Sequence, residues 1–544
     1  MRTRDQVSDD KLRGGFYSPD VLVDMCLKRA SRLLEGRQHL RVLEPSAGDG
    51  AFLRGLKRTG MSERLAHVEA VEVIAEEAEK SAAVLTELGL PGRVRNENVL
   101  RWSQSEDEGY DLVLANPPYV RFQFISDIDK QLAKSISSRL GTSGTSVSNL
   151  WIPVFLLALS KLRPGGAFSI ILPTEFLTGI SAGSVRNWLL SNASDLTIDL
   201  FEPGSFPSVL QEVLVLSGRT ADRGAGFTRT VEFFDHNGDT RTWTHSVSPG
   251  GGTWTNYLLS PTQNSAFEAA RSITGVKRLS DVARFSVSTV TGANGYFCVD
   301  DRTVDEYKLR EWAVPMLPRA RNAEGLVFTK EEHQALVDND QVAWLLSFSA
   351  ERSDPLAHAR PRAFLAEGTA DGIDQRFKCR VRTPWYRVPV VPAGSLLLSK
   401  RSNRFPRVIS NHAEVVTTDT IYRGQMNAGA TVTADSFTAT FHNSLTMLSA
   451  EIEGRSFGGG VLELVPSEVN ALLVPAVAGA ERELSGLDAV ARAENDPEAL
   501  IEATDKMLAR LVPELDSTTL SALSEARQVL MARRLQRTHS KFYG

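Results

Sequence analysis

The sequence predicts an α/β protein in which a mostly parallel sheet, covered by helices on both faces, is followed by a β-rich region and a helical C-terminal segment. Residues 14 to about 220 alternate short apolar runs with helical segments, which is the pattern of such a sheet. Beyond them, "GGG", scattered prolines and runs such as "SLLLSKR" indicate short strands. From Gly479 to Gly544 the chain is rich in Ala, Leu, Glu and Arg with a helical period. We therefore expect domains at 1–245, 246–478 and 479–544.

Composition limits the class of protein. The 544 residues, 42% hydrophobic and 23% charged, suffice for two or three globular domains. No apolar run reaches the roughly 20 residues of a membrane span, and the polar N-terminus lacks the apolar stretch of a signal peptide. Cys26, Cys298 and Cys379 lie far apart and the nine histidines are scattered. We expect a cytoplasmic protein with no membrane partner, no disulfide and no metal.

Seven short segments predict the strands of the sheet. In chain order they lie at 41–44, 68–72, 93–98, 110–115, 167–172, 196–201 and 212–217. Between Val120 and Asn149 a polar segment ends in "GTSGTSVSN", where Gly, Ser and Thr disfavour regular structure. We expect that segment to be a mobile loop beside the fourth strand.

The first motif that carries chemistry is "VLEPSAGDGAF", residues 42–52. Glu44 ends the first strand, and Gly48 and Gly50 allow a sharp turn and a close approach to a ligand before the next helix. A carboxylate at that strand end suits a cationic ammonium better than a pyrophosphate, which favours S-adenosylmethionine over a dinucleotide. Glu72 ends the second strand, where a carboxylate accepts hydrogen bonds from ribose hydroxyls.

Two more residues extend this predicted cofactor site. Asn98 is predicted to end the third strand, where its amide is placed to pair with an adenine edge. In "GGFYSPDVL", Ser18 is a predicted N-cap with Pro19 at the first helical position. The N-terminus of that helix would attract the cofactor carboxylate.

The fourth strand ends in the unusual sequence "YDLVLANPPYVRF", residues 110–122. Proline has no N–H and a fixed φ, so the carbonyls of Asn-Pro-Pro are preset acceptors. If the Asn116 side-chain oxygen and the Pro117 carbonyl accept the two hydrogens of an exocyclic amino group on a base, the nitrogen lone pair turns towards a methyl donor. Tyr119 would offer a flat face for base stacking, a contact worth roughly 1–3 kcal/mol.

These motifs, in this order, resemble the TaqI-like, gamma-type DNA adenine-N6 methyltransferases, and the likeness extends through most of the chain. It implies a Rossmann-like class I S-adenosylmethionine methyltransferase domain and a target-recognition domain whose closing part is "EIEGRSFGGGVLELVPSEVNALLVP", residues 451–475. It also implies methyl transfer from S-adenosylmethionine to the N6 amino group of a flipped-out adenine at a specific DNA site. Such an enzyme would be the modification component of a restriction-modification or related phage-defence system.

The resemblance also assigns residues. "PGSFPSVLQEVLVLSG" resembles the motif whose Phe stacks on the extruded adenine, which is Phe206 here. Asn98 stands where the family usually has Asp, and Ser18 stands where Thr is common. The adenine-binding, catalytic residues implied are Asn116, Pro117, Tyr119 and Phe206. The cofactor-binding residues implied are Ser18, Glu44, Pro45, Ser46, Ala47, Gly48, Gly50, Glu72, Asn98 and Pro118.

A basic stretch from Arg376 to Arg407 contains nine Lys or Arg and no Asp or Glu, although the formal net charge of the chain is −5. Aromatic residues are interleaved with these cations, so we interpret the stretch as an outward-facing, β-rich surface for double-stranded DNA. A cognate restriction endonuclease or defence-system subunit is a possible second partner. The predicted DNA-binding residues are Arg380, Arg382, Arg387, Lys400, Arg401 and Arg404, with the turn 455–460 as the alternative.

Several other functions stay open. DNA cytosine-N4 and RNA adenine methylation use the same amino-group chemistry, whereas cytosine-C5 methylation needs a thiolate that the site motifs lack. Glutamine methyltransferases that act on release factors share Asn-Pro-Pro-Tyr but are compact. A nuclease–methyltransferase fusion is a further alternative, because "DEYK", residues 305–308, contains the Glu-x-Lys triplet of a metal nuclease core. Such triplets also arise by chance. The non-enzymatic alternative is a DNA-binding module on a methyltransferase scaffold.

Overall fold

The structure is a computed structural model, and it describes residues 18–102, 109–142, 147, 149–202, 205–206, 212–221, 230–250, 252–457, 460–493 and 497–536. The chain divides into two compact units, the first ending at Pro261 and the second beginning at Thr262. The first two residues of "FYSPD", parts of "GTSGTSVSN" and "PGSFPSVLQEVLVLSG", and residues 458–459 of the turn 455–460 lie outside the described residues.

The first unit is built on a nine-stranded sheet in the order β3-β2-β1-β4-β5-β7-β6-β8-β9. All seven predicted strands are present. Strands β1 to β6 run parallel, and β7 lies antiparallel between β5 and β6. This order confirms the predicted Rossmann-like class I methyltransferase domain. The strands are β1 (Leu40–Glu44), β2 (Leu65–Glu72), β3 (Gly92–Asn96), β4 (Tyr110–Ala115), β5 (Leu162–Pro173), β6 (Ala193–Leu200), β7 (Val213–Thr220), β8 (Thr230–Asp235) and β9 (Arg241–Ser246).

Helices connect these strands and cover the sheet. The most apolar helix, "WIPVFLLALS", is buried at nine of its ten positions, which accounts for the lack of a polar side. The N-terminal helix buries Leu22, Val23 and Leu27 and packs on β5 and β7. The helices are α1 (Asp20–Leu33), α2 (Ala51–Arg58), α3 (Ala75–Glu87), α4 (Val99–Trp102), α5 (Asp127–Arg139), α6 (Trp151–Ser160), α7 (Glu175–Thr178) and α8 (Gly183–Asn192).

The expected mobile loop after β4 is wrong over residues 127–139, which form helix α5. Ser126 caps this helix by accepting a hydrogen bond from the Asp129 N–H at 3.1 Å. Asp127 and Asp129 lie in the first turn, where carboxylates favour the helix dipole. The helix buries Ala133 and Ile136 against α6, so a narrow apolar stripe suffices to hold an otherwise polar segment.

The second unit alternates short strands with helices. Its largest sheet has five strands in the order β11-β19-β16-β18-β14, and α16 packs on β18. The strands are β10 (Val276–Arg278), β11 (Ala283–Ser286), β12 (Cys298–Val299), β13 (Ala313–Pro315), β14 (Val327–Phe328), β15 (Trp344–Leu346), β16 (Leu396–Ser399), β17 (Arg401–Ser402), β18 (Val408–Asn411), β19 (Ile421–Met426), β20 (Arg455–Phe457), β21 (Val461–Glu463) and β22 (Leu473–Pro475). The helices are α9 (Pro261–Arg271), α10 (Leu279–Val282), α11 (Asn294–Phe297), α12 (Asp301–Glu306), α13 (Lys330–Asp338), α14 (Ala359–Ala370), α15 (Phe377–Arg380), α16 (Ala434–Phe441), α17 (Ser444–Glu453) and α18 (Pro466–Ala471).

The C-terminal segment is helical, as predicted, and it packs within the second unit. It forms α19 (Leu484–Ala493), α20 (Pro497–Leu511) and α21 (Ser517–Gln536). Arg534 of α21 forms a buried ion pair with Glu451 of α17, with N–O distances of 2.9 and 2.6 Å. The same guanidinium donates to the Asn403 carbonyl at 2.8 Å and the Arg404 carbonyl at 3.1 Å. No helix in the described part of the chain is long and apolar enough to cross a bilayer.

Candidate active site

The predicted catalytic and cofactor residues meet at one edge of the first sheet. Because β1, β2, β4 and β6 run in the same direction, their carboxyl ends lie at that edge. The strand order reverses between β1 and β4, and in open α/β sheets such a reversal forms the ligand crevice. Glu44 ends β1, and Asn116 directly follows β4, so both lie at this crevice.

Glu44 is a buried carboxylate with unused acceptor capacity. Its side chain is 2% exposed, and its Oε2 has no hydrogen-bond partner among the described residues. Burial, with Asp49 and Glu72 nearby, raises the pKa of this carboxyl well above its usual value. An unpaired buried carboxylate is costly unless a cation or donor completes it. The site therefore fits a ligand that brings an ammonium group to the end of β1.

The glycine turn between β1 and α2 has the backbone that the sequence predicted. Gly48 has φ +53° and Gly50 has φ +84°, in the left-handed region that favours glycine. The Gly48 N–H donates to Glu72 Oε2 at 2.9 Å, and Ser81 Oγ donates to the Gly48 carbonyl at 2.7 Å. The other oxygen of Glu72 accepts from the Ile74 N–H at 2.9 Å. Glu72 thus supports the turn with both of its carboxylate oxygens.

Asn116 is held on two sides. Its Nδ2 donates to Ser18 Oγ at 3.1 Å, and its backbone carbonyl accepts from Ser46 Oγ at 3.0 Å. The second bond joins the Asn-Pro-Pro-Tyr segment directly to the glycine turn. The predicted N-cap role of Ser18 is wrong: α1 begins after Pro19, whose carbonyl accepts the first helical N–H groups. The Ser18 hydroxyl contacts the catalytic candidate instead of the helix.

Tyr119, which the sequence analysis predicted as a flat face for base stacking, has a buried ring. Its side chain is 7% exposed. Its hydroxyl lies 2.8 Å from Asn116 Oδ1 and 3.0 Å from the Ile171 carbonyl of β5, so it can donate to either acceptor. The ring packs in the hydrophobic core of the first unit. In this conformation Tyr119 occupies the acceptor that an amino group would need.

Pro117 and Phe206, predicted for the adenine, and Pro118, predicted for the cofactor, follow the carboxyl ends of β4 and β6. No described residue donates a hydrogen bond to the Pro117 carbonyl, which leaves it as an acceptor. Pro118 is half-buried beside it. Phe206 follows β6 and packs edge to face on Phe201, with ring centroids 5.2 Å apart. Phe206 is half-buried at the carboxyl end of a strand parallel to β4, which places it on the same edge.

Asn98 does not end the third strand, because β3 stops at Asn96. Its Oδ1 accepts from the Leu100 N–H at 3.0 Å, within α4, and its Nδ2 donates to Asp129 Oδ1 at 3.0 Å. Sequence reasoning missed Asp129, because the residue belongs to a segment read as a loop. The structure thus brings a carboxylate next to the position where the resembled family usually carries one.

Two protein families match the chain. The Eco57I restriction-modification methylase family matches residues 69–205, and the C-terminal domain of the Type II methyltransferase M.Eco57I matches residues 251–509. The chain belongs to the Type II restriction-modification DNA methyltransferases. S-adenosylmethionine is the co-substrate of this methyltransferase. The buried Glu44 carboxylate, whose Oε2 has no partner among the described residues, fits the ammonium group of that molecule.

Individual relatives agree with this family. The chain is 23% identical over 480 residues to the Type II methyltransferase M.AccI of Acinetobacter calcoaceticus, which covers 84% of each chain. It is 27% identical over 249 residues to the Type II methyltransferase M.BanIII of Aneurinibacillus aneurinilyticus, or 41% of each chain. The Type IIL restriction-modification enzyme MmeI, solved in complex with DNA, aligns with 94% of this chain and 72% of that chain, at 12% identity and a TM-score of 0.48.

Part of the basic stretch in the second unit of this methyltransferase is turned inward. Arg382 donates to the carbonyls of Thr291 at 2.6 Å and Val290 at 2.7 Å. Arg407 donates to the Gly325 carbonyl at 2.6 Å, and burial lowers the pKa of its guanidinium. The expectation that the side chains of this stretch are all held outward is therefore wrong. Both guanidinium groups satisfy carbonyls of distant loops, which a local sequence pattern does not reveal.

Other cations of the stretch are exposed or are paired with Glu463. Lys400 and Arg401 lie 3.8 and 2.9 Å from Glu463, and Arg404 is exposed. Arg380 is exposed, and Arg387 lies at the surface on a cavity of about 710 Å³. The cavity wall also includes Arg352, Glu351, Ser347 and Ser349, which the sequence analysis did not single out. Within the described residues, no group of three or more His, Cys, Asp or Glu side chains is arranged to hold a metal ion.

Proposed function

We propose that this methyltransferase transfers a methyl group from S-adenosylmethionine to the exocyclic N6 amino group of an adenine in duplex DNA. The observation that supports it is the placement of the Asn116 carboxamide. Ser18 anchors its nitrogen, and Ser46 ties its backbone to the turn that follows Glu44. A hydrogen-bond acceptor and a cation site thus lie at neighbouring strand ends, as transfer from a sulfonium to an amino group requires.

Each side chain of the site would have a separate role in binding the cofactor or the base. The buried Glu44 carboxylate would bind the ammonium, and Glu72 would accept from the ribose while supporting the Gly48 turn. The cofactor supplies the electrophilic methyl group. Asn116 Oδ1 and the Pro117 carbonyl would accept the two amino hydrogens, which turns the nitrogen lone pair towards that methyl. Because Nδ2 of Asn116 is bound to Ser18, its oxygen is the atom presented to the base.

The target base must leave the duplex to reach this crevice, because a stacked and paired adenine cannot present its amino group to Asn116 and a sulfonium together. Phe206, half-buried at the end of β6, would stack on the extruded base. Tyr119 would release Asn116 Oδ1 when the base arrives and would then contribute its ring. 2-Aminopurine at the target adenine should brighten on binding, and an unchanged signal with a cognate duplex would contradict flipping.

The second unit would bind the DNA. Its exposed cations between Arg376 and Arg404 would neutralise phosphates, and Arg380 and Arg387 are the candidates for guanine edges. A cognate restriction endonuclease or defence-system subunit that reads the same site would be the physiological partner. The cavity beside Arg387 also has Arg352 and Arg382 on its wall.

The decisive experiment identifies the methylated nucleoside. Purified protein is incubated with S-adenosylmethionine and unmethylated plasmid DNA, and the digested nucleosides are analysed by mass spectrometry. We expect N6-methyladenine. Asn116→Ala should lose it by orders of magnitude while duplex binding survives. Asn339→Ala, an exposed asparagine at the end of α13, serves as the matched control.

Each other outcome excludes the proposal in favour of a named alternative. N4-methylcytosine would assign the same amino-group chemistry to another base. Product formed only on RNA would exclude duplex DNA as the substrate. Cofactor and DNA binding without any product would leave a DNA-binding module, and undiminished turnover by Asn116→Ala would contradict the mechanism.

A further inference from the structure

An exposed apolar turn lies within the basic stretch of the second unit. We call residues 376–381, which include α15, the Phe377 turn. Phe377 is 64% exposed and Val381 is 65% exposed, whereas Cys379 between them is buried. Residues four apart on a helical turn lie on one side, so the two apolar side chains form a single small patch. A lone exposed apolar residue needs no explanation, but a paired Phe and Val among cations does.

The Phe377 turn packs against the loop at residues 290–292. Arg382 donates to the Thr291 carbonyl at 2.6 Å and the Val290 carbonyl at 2.7 Å. Gly292, at φ +84°, lies so close that a Cβ there would meet the Lys378 Cβ at 2.6 Å. The glycine therefore allows two backbones to come together. Phe377 is exposed on a supported platform, and little further ordering is needed when it binds.

The charge around Phe377 indicates the kind of partner. The Lys378 Nζ lies 5.6 Å and the Arg380 Cζ 5.5 Å from the centre of its ring. The segment from Arg376 to Arg407 contains no acid. A surface that places cations around an exposed aromatic ring fits a polyanion with flat apolar faces, and a DNA duplex offers phosphates outside and stacked bases within.

We propose that the Phe377 turn is a wedge: Phe377 inserts between two base pairs of the bound duplex, Val381 covers the opened step, and Lys378 contacts a flanking phosphate. This inference rests on the proposed function, since it takes duplex DNA as the ligand. Apolar wedges of this kind unstack a base step and kink the duplex, and the cost is offset by the added contact. No residue of the first unit is required for it.

The test measures affinity and DNA shape together. The full-length protein is titrated onto a short duplex that carries the methylated site and a fluorescent dye at each end. We expect Phe377→Ala to raise Kd roughly 5-fold to 150-fold, the equivalent of one stacked base at about 1–3 kcal/mol. Because that loss is not electrostatic, the slope of log affinity against log salt should stay as in the wild type. Energy transfer between the dyes should show a straighter duplex.

Two matched variants distinguish base-step insertion by Phe377 from a loss of charge and from a general effect of removing an exposed apolar side chain. Lys378→Ala, its neighbour in the turn, should lower the salt slope by about 0.9 and leave the bend unchanged. Leu511→Ala removes an exposed apolar side chain at the end of α20 and should behave as the wild type. Unchanged affinity and bend in Phe377→Ala, or a loss that disappears at high salt, would overturn the wedge and leave the patch for a protein partner. A wild-type protein that does not bind duplex DNA would instead overturn the proposed function.

Discussion

At the scale of single residues, the Tyr119 hydroxyl lies 2.8 Å from Asn116 Oδ1, the atom that we propose accepts a hydrogen bond from the target amino group. Tyr119→Phe removes the competing donor and keeps the ring. We expect it to raise kcat/KM for DNA roughly 2-fold to 10-fold, since a net hydrogen bond is worth about 0.5–1.5 kcal/mol. Tyr119→Ala, which also removes the ring, should slow transfer. Single-turnover methylation compares the two, and a Phe variant as slow as the Ala variant would show that the hydroxyl assists catalysis.

Glu44 gives a pH-dependent prediction. Its raised pKa means that the carboxyl is protonated at the lower end of the pH range and ionises as pH rises. Only the ionised form attracts an ammonium strongly, so the affinity for S-adenosylmethionine should increase with pH across that ionisation. Glu44→Gln should bind roughly 10-fold to 100-fold more weakly where the wild type is ionised, for a lost bond of about 1.5–3 kcal/mol. Calorimetry over a pH series checks this, and parallel profiles for the two proteins would contradict it.

Single residues also show the limit of sequence reasoning. The positions of Glu44 and Asn116 could be predicted, because both residues lie at the carboxyl ends of predicted strands, where an open α/β sheet forms its ligand crevice. The inward turn of Tyr119 depends on the Ile171 carbonyl of β5, 52 residues away in the chain. The bonds from Arg382 to the 290–291 loop likewise join distant segments. Partners that come from remote positions leave no local pattern.

At the scale of elements, α21 ties together parts of the second unit that the sequence treats as separate. Arg534 pairs with Glu451 on α17 and holds the carbonyls of Asn403 and Arg404. Arg534→Met should lower the free energy of unfolding by about 3–5 kcal/mol, because it leaves a buried carboxylate without its partner. Urea denaturation measures the change. Replacing Glu451 by Met as well should restore much of the loss, and a double variant no more stable than Arg534→Met would contradict this reason.

The strands of the first sheet were easier to predict than the helix after β4. Most strands of this sheet are buried and read as apolar runs, and all seven predicted strands are present. Helix α5 has a polar surface and a narrow buried stripe that includes Ala133 and Ile136, so its composition resembled a loop. The error also hid Asp129, whose carboxylate reaches Asn98 at 3.0 Å. An element whose burial is small carries a correspondingly weak signal.

At the scale of the whole molecule, a chain of net charge −5 must bind a polyanion through a local surface. If about half of the nine cations between Arg376 and Arg407 contact phosphates, log affinity should fall against log salt with a slope of roughly −4. Because Arg382 and Arg407 donate hydrogen bonds to carbonyls within the protein, their replacement should change stability more than the salt slope.

Arg387→Ala should instead relax base preference at one position, with a loss of roughly 1–3 kcal/mol of binding free energy. Titrations at several salt concentrations on wild-type and variant proteins decide between these roles, and wild-type slopes and site preference in every variant would move DNA recognition elsewhere.

The central claim is that Asn116 directs site-specific N6 methylation of adenine in DNA, and long-read sequencing of DNA from a host that expresses the protein tests it most directly. The wild-type protein should mark adenines within one recurrent short sequence, and the Asn116→Ala variant, expressed to the same level, should leave that sequence unmarked. Marks on cytosine at the recurrent sequence, or adenine marks that persist in the Asn116→Ala variant, would contradict the claim.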